Sequence, residues 1–284
     1  MDIILIHIGD VFPEYINDCI SQLKKYNYKI HLIIDKELFI FLNMDNNIIL
    51  SDINEYIDDY FINYKNNYDS NFRNGFWLST TKRFFILKNY AIKNNILNFL
   101  HIEYDVLLYT DLSIFCNFLH NTTDDMSVVI DSNNRCIPSI MWFRDSEILI
   151  KLSEFILKNS NDNDMGILFK FFNDNDNVSN LPLIPDINLE DVLNVKNNTN
   201  IIYSNYFEKS KSVFDGAAIG QYLGGVDPRN NSNDSVGFIN ETTIFDVSKF
   251  KYIWISNEPY MVYNDMVIKI NNLHIHSKKL KKFI

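Results

Sequence analysis

Residues 3–8 read Ile-Ile-Leu-Ile-His-Ile and close on Gly9 and Asp10. An apolar run without alternation fits a strand buried on both faces, the pattern of a central strand in a parallel sheet. Pro13 follows where a first helical turn tolerates it, and Tyr15, Ile16, Cys19, Ile20 and Leu23 recur at helical spacing. A second apolar run, 29–34, stops at Asp35. Strand, helix and strand with tight polar ends make a βαβ opening. The chain is therefore expected to be α/β, with a central sheet and flanking helices.

Later segments agree with that class. Residues 48–50 are expected as a short strand, 52–64 as a helix capped by Asp52, and 76–94 as the best helix, with Trp77, Phe84, Leu87, Tyr90 and Ala91 on one side. The acid-bearing run 97–112 reads as a buried strand, after which Asp111 caps a short helix to Leu119. Strands are expected at 127–130 and 137–143, with Arg135 and Cys136 between them, and helices at 146–158 and 164–172. Residues 181–184 and 201–203 read as short extended pieces, and 214–225 as a glycine-bearing helix. Loops are expected at 65–75, 173–180, 194–200 and 230–235. Near the end, 252–255, 260–263 and 267–270 read as strands, the last two joined by a turn at Asn264–Asp265. No internal repeat or linker divides the 284 residues, so one domain is expected.

A net charge of −10 argues against a general nucleic-acid binder, which needs a basic footprint. Cys19, Cys116 and Cys136 are scattered and odd in number, which suits a reducing compartment rather than a disulfide framework. The N-terminus lacks a basic region before its short apolar run, and no apolar segment reaches membrane-spanning length. A cytoplasmic location is the expectation.

Glu103 and Asp105 stand one residue apart inside the most apolar stretch of the chain. Burying charge without partners costs several kcal/mol, so such acids belong at a strand end that opens on a site. From a strand, residues two apart point the same way and can share a hard divalent cation, Mn²⁺ or Mg²⁺. The alternative is a strand end with two solvated acids. Other acid pairs, Asp162/Asp164 and Asp174/Asp176, lie in Asn-rich segments and read as solvated loops. His274 and His276, also two apart, can supply a nitrogen ligand, and Lys278 follows; the alternative is a structural histidine pair.

These residues resemble the GT-A-fold glycosyltransferases that use nucleotide sugars, which combine an acid-x-acid strand end with a C-terminal His as third metal ligand. The blocks 101–112, 214–229 and 271–280 look like those of bacterial and large-virus members, in the same order. The resemblance implies a Rossmann-like GT-A domain, with 1–112 as the nucleotide-binding half and 113–284 as the acceptor half carrying the metal-binding tail. It implies Glu103, Asp105 and His276 or His274 as metal ligands, and Lys278 at the diphosphate. It places base and ribose near His7 and Gly9, with Asp35 after the second strand, and Arg83 at the nucleotide or its metal acid. Two departures stand out. Glu103 replaces the usual Asp, and Lys278 follows the histidine more closely than in the family.

Asp215, beside small residues, is the candidate catalytic group, able to bind sugar hydroxyls or act as a base; capping the helix that follows is its alternative role. Gln221 and Asp164 are weaker candidates. The reading is sugar transfer from a nucleoside diphosphate, UDP first, to a glycan, protein or other hydroxyl acceptor. Sugar nucleotidyl transfer is a rival, although the first strand ends in a poor phosphate loop; a non-catalytic carbohydrate or protein binder is another. The sharpest demand is spatial: a tail some 170 residues away must fold back onto Asp105.

Overall fold

The apolar run at the N-terminus becomes an interior strand, the third of seven that the described residues form in the main sheet. The computed structural model describes residues 1–42, 47–69, 72–186, 193–194, 203–227, 229 and 236–284. In β1 (Asp2–Ile6), Ile3, Ile4 and Leu5 are wholly buried. Each such side chain contributes about 1.5–3 kcal/mol of transfer free energy. Helix α1 (Tyr15–Leu23) buries Ile16, Cys19, Ile20 and Leu23 and leads to β2 (Lys29–Ile34), then β3 (Ile48–Asp52). Helices α2 (Asp59–Asn63) and α3 (Phe76–Lys93) follow, then β4 (Phe99–Ile102) and β5 (Val106–Leu108). After α4 (Ser113–His120) come β6 (Met126–Ser132), β7 (Arg135–Phe143), α5 (Glu147–Lys158), α6 (Asp164–Asn173) and β8 (Val178–Asn180).

The sheet order is β3-β2-β1-β4-β7-β6-β8. The first four run parallel, β7 is antiparallel to β4 and β6, and β8 is parallel to β6. The molecule is a mixed α/β protein with a mixed central sheet and flanking helices, as expected from the βαβ opening.

Beyond β8 lie β9 (Ser212–Val213), α7 (Ala218–Gly224), β10 (Lys251–Ile255), β11 (Glu258–Tyr263), β12 (Met266–Ile270) and β13 (Asn272–His274). Strands β10, β11, β12 and β9 form a second sheet, and β13 pairs antiparallel with β5. Asn264 and Asp265 both take positive φ between β11 and β12, as a tight hairpin turn requires. Ser256 and Asn257 do the same between β10 and β11. Among the described residues, no helix is long and apolar enough to cross a membrane.

Four local expectations are corrected. The helix expected at 52–64 is two short pieces, because two aspartates each start their own turn. Asp52 accepts from Asn54 N and opens a 3₁₀ turn, Ile57 is extended, and Asp58 accepts from Phe61 N to open α2. The acid strand is also broken: β4 ends at Ile102 and Glu103–Asp105 forms a turn before β5, so the two acids do not share a strand face. Arg135 and Cys136 belong to β7 instead of preceding it. The stretch 173–180, expected as a loop, ends in strand β8, where Val178 to Asn180 pair with Met126 to Val128. The stretches 195–200, 201–202 and 230–235, and residues 70–71 of the expected 65–75 loop, lie outside the described residues.

Candidate functional site

The turn at Glu103–Asp105 sits where the sheet changes partners. Strand β4 belongs to the large sheet, whereas β5 pairs with β13, so the chain opens between them and releases two carboxylates at the carboxyl end of a parallel strand. Such strand ends are where open α/β sheets bind ligands. The C-terminal tail does fold back here. His274 pairs opposite Val106, and Ile275 N donates to Asp105 O at 2.8 Å. One donor atom each from Glu103, Asp105 and His274 lie within 4.8 Å of one another.

The histidine is held in a ligating orientation. Its Nδ1 lies 2.6 Å from the Gly216 carbonyl oxygen. That oxygen accepts, so Nδ1 carries the hydrogen and Nε2 faces Asp105 Oδ2 at 3.2 Å and Glu103 Oε2 at 3.4 Å. A backbone carbonyl fixing the far nitrogen is a recurrent support of metal-binding imidazoles. Helix α7 packs against the same segment so closely that a Cβ on Gly220 would overlap the His274 carbonyl oxygen.

Asp215 organises this packing. It is fully buried, and its carboxylate accepts from Ile219 N at 3.0 Å, Gly220 N at 2.8 Å and His274 N at 3.0 Å. Burial pushes its pKa up to about 6 even though these donors oppose the shift. It lies outside the cavity lining, so its setting is that of a clamp on His274 and not the sugar-facing position expected from sequence.

The charges around the two acids are mutually dependent. Burial would raise the Asp105 pKa, but the Lys278 ammonium and His274 hold it well below the usual carboxylate range. Glu103 is likewise lowered against burial, chiefly by Arg83 and then His274. His274 moves the other way, up to about 9, because Asp105 and Glu103 outweigh its burial. Lys278 Nζ donates to Asp105. Two carboxylates thus gather a protonated imidazole and an ammonium, the positive charge a divalent cation would supply. Two carboxylates and one imidazole nitrogen are a donor set that fits Mn²⁺ or Mg²⁺.

His276 does not join this set. Its ring packs edge-on against His274 at 4.6 Å between centroids, and its Nδ1 lies 3.2 Å from Gln221 Nε2. Burial and the neighbouring His274 charge hold its pKa well below the ordinary value.

Above the acids opens a cavity of about 860 Å³. His7, Arg83, Glu103, Asp105, Asp164, Gln221, His274, His276 and Lys278 all line it; Gly9, Asp35 and Asp215 do not. His7 Nδ1 shares a 3.0 Å hydrogen bond with the Tyr104 hydroxyl. Gly9 carries φ +154° directly behind His7, a turn role that only glycine fills easily. Asp35 caps the 3₁₀ turn Lys36–Phe41, accepting from Glu37 N and Asn54 Nδ2, which accounts for its carboxylate.

Arg83 is committed to protein carboxylates. Its Nη1 donates to Glu103 and its Nη2 to Asp164 at 2.8 Å. Asp164, expected as a solvated loop acid, is buried at the start of α6, which Asn163 caps. Sequence reasoning passed over Asp131, Arg135, Arg73, Asp227 and Arg229, which also line the cavity. Arg135 holds Asp131 through Nε at 2.7 Å and Nη2 at 3.0 Å. One signal could have found the arginines: the chain has five among 26 basic residues, and four of the five line this cavity.

No family model matches the chain, and no curated protein matches it. Among solved structures it is similar to mouse xyloside xylosyltransferase 1 in its apo form, at 8% identity and TM-score 0.46, over 72% of this chain and 94% of that one. It is similar to the glycosyltransferase GlyE of Streptococcus pneumoniae, at 16% identity and TM-score 0.39, over 63% of this chain and 45% of that one. A third is the PaToxG glycosyltransferase, at 13% identity and TM-score 0.34, over 56% of this chain and 60% of that one. The chain thus spans less than half of GlyE.

Proposed function

We propose that this protein is a metal-dependent glycosyltransferase of the GT-A type, moving a sugar from a nucleoside diphosphate, with UDP as the first nucleotide to test, to a hydroxyl acceptor. The observation that carries the reading is the convergence of Glu103, Asp105 and His274 within 4.8 Å at the mouth of the parallel sheet. The cavity above them, about 860 Å³, is in the size range that takes a nucleotide-sized ligand.

Glu103, Asp105 and His274 Nε2 hold the cation. When bound, it offsets charge on the diphosphate as the bond to the sugar breaks. Lys278, beside Asp105, adds a positive charge at the same place. Arg83, braced by Asp164, fixes the Glu103 carboxylate. Asp215 fixes the backbone of His274 and acts as a positioning residue. His7 and Tyr104, bonded to each other at the end of β1, form the wall that meets base and ribose.

The test is sugar release from a panel of UDP-sugars with and without Mn²⁺, in wild type and Asp105→Ala. Release should depend on Mn²⁺ and fall by about a hundredfold or more in the variant. Metal-independent release that the substitution leaves unchanged would sink the reading.

A further inference from the structure

Asp227 is buried at the cavity wall and serves two guanidiniums at once. Arg229 donates to it through Nε at 3.0 Å and Nη2 at 2.7 Å, and through its backbone N at 2.9 Å. Arg73 reaches the same carboxylate through Nη2 at 2.6 Å. Two permanent cations on one carboxylate leave a net charge of about +1 at this wall. Among the described residues, the hydrogen bonds of Arg229 to Asp227 run through its backbone N, Nε and Nη2, and the contact of Arg73 through Nη2, which leaves Nη1 of each guanidinium outside these bonds. A planar fork with free N–H groups is the geometry that recognises phosphate oxygens in pairs.

Two further observations point to an anion here. Arg73 sits at φ 47°, ψ 47°, a left-handed conformation uncommon for a residue with a Cβ, so the fold holds this side chain in place at a local cost. The cavity concentrates arginine in a lysine-rich, acidic chain: four of five arginines line it, but among the described residues Lys278 is the one lysine that does.

We propose that Arg73 and Arg229, held by Asp227, form a second set of phosphate contacts for the diphosphate of a nucleoside diphosphate, on the wall of the same cavity that holds the Glu103–Asp105–His274 centre. The assignment to a nucleotide rests on the donor reading of the cavity. Arg83 is not available for this task, since both of its terminal nitrogens are taken by Glu103 and Asp164. Direct guanidinium contacts to phosphate therefore fall to the arginine pair that shares one acid, beside the cation and Lys278.

Calorimetric titration of the metal-free protein with inorganic pyrophosphate, UDP and uridine tests the site, in wild type, Arg73→Gln, Arg229→Gln and Arg229→Lys. Pyrophosphate and UDP should each bind about tenfold or more weakly in the two Gln variants, with uridine unmoved, and Arg229→Lys should recover only part of the loss. Arg229 is exposed, so its variants keep the fold even if Arg73→Gln does not. Pyrophosphate affinity equal in wild type and Arg229→Gln would overturn the site while leaving metal-dependent transfer intact. A sugar phosphate that binds more tightly than UDP, with the same loss in the variants, would overturn the nucleotide assignment. UDP binding through the pair, with no donor turned over in Mn²⁺, would uphold the site and remove the proposed activity.

Discussion

Two arginine–carboxylate groups face the same cavity with opposite stoichiometry. At the sheet mouth one guanidinium, Arg83, serves two acids, Glu103 and Asp164. On the other wall two guanidiniums, Arg73 and Arg229, serve one acid, Asp227. The residue types are the same, yet the first group carries a surplus negative charge and the second a surplus positive one. The first is also closed, with Arg83 and Asp164 both under a tenth exposed, whereas Arg229 is about two-thirds exposed. Local charge is thus set by how many partners share a group and not by composition: the chain is −10 overall, but five carboxylates and five permanent cations line the cavity. A surplus of carboxylate beside His274 suits a cation, and a surplus of guanidinium suits a phosphate.

The largest expected effect breaks the closed group. Arg83→Gln strands the buried Asp164 and takes from the partly buried Glu103 its main partner, which should cost about 3–5 kcal/mol of unfolding free energy by urea denaturation. Arg229→Gln leaves Asp227 with Arg73 and removes a largely solvated side chain, so it should cost under about 1 kcal/mol. Similar losses in the two variants would erase the distinction between the groups.

Next in size is stabilisation by metal. At a free Mn²⁺ concentration a hundredfold above Kd, wild type should gain about 2.7 kcal/mol, read as a rise in melting temperature. Asp105→Ala should gain almost none, while Arg229→Gln should gain as much as wild type. Equal gains in wild type and Asp105→Ala would place the cation elsewhere.

Much of this arrangement was legible in the sequence where the signal is local. The continuous run in β1, the helical spacing in α1 and α3, and the Asn264–Asp265 turn each carry their cause within a few residues. What could not be read depends on partners far along the chain. Nothing in the run from Ile102 to Val106 announces that pairing passes from β1 and β7 to β13, so the acids were placed on a strand instead of in a turn. Which of His274 and His276 lies against the two acids has the same origin. The register that sets His274 opposite Val106 decides it, and residue spacing alone treats the two alike. Asp215 shows a different lesson. An acid beside glycines fits a ligand pocket or a set of backbone amides equally well, and only the close approach of α7 to β13 distinguishes them. Arg73 and Arg229 were passed over because the charge they carry becomes distinctive only when the cavity assembles.

The smallest expected effect sharpens the contrast through pH. Burial alone would raise the Asp227 pKa, but hydrogen bonds from Arg229 and Arg73 outweigh it and hold the carboxyl below the usual range. A carboxyl depressed in the folded state contributes stability that is fully present above the unfolded value, near 3.8, and is lost as pH falls through the folded value. The stability gap between wild type and Asp227→Asn should therefore be constant from pH 7 to pH 5 and narrow below about pH 4. Asp164 behaves in the opposite sense, since burial raises its pKa despite Arg83. A raised carboxyl opposes folding at neutral pH, and that opposition fades as pH falls below the folded value, so a paired Asp164→Asn series should not reproduce the acid narrowing. Parallel acid profiles for the two substitutions would mean that sharing one guanidinium between two acids, and one acid between two guanidiniums, are electrostatically equivalent, and the contrast between the two walls would fail.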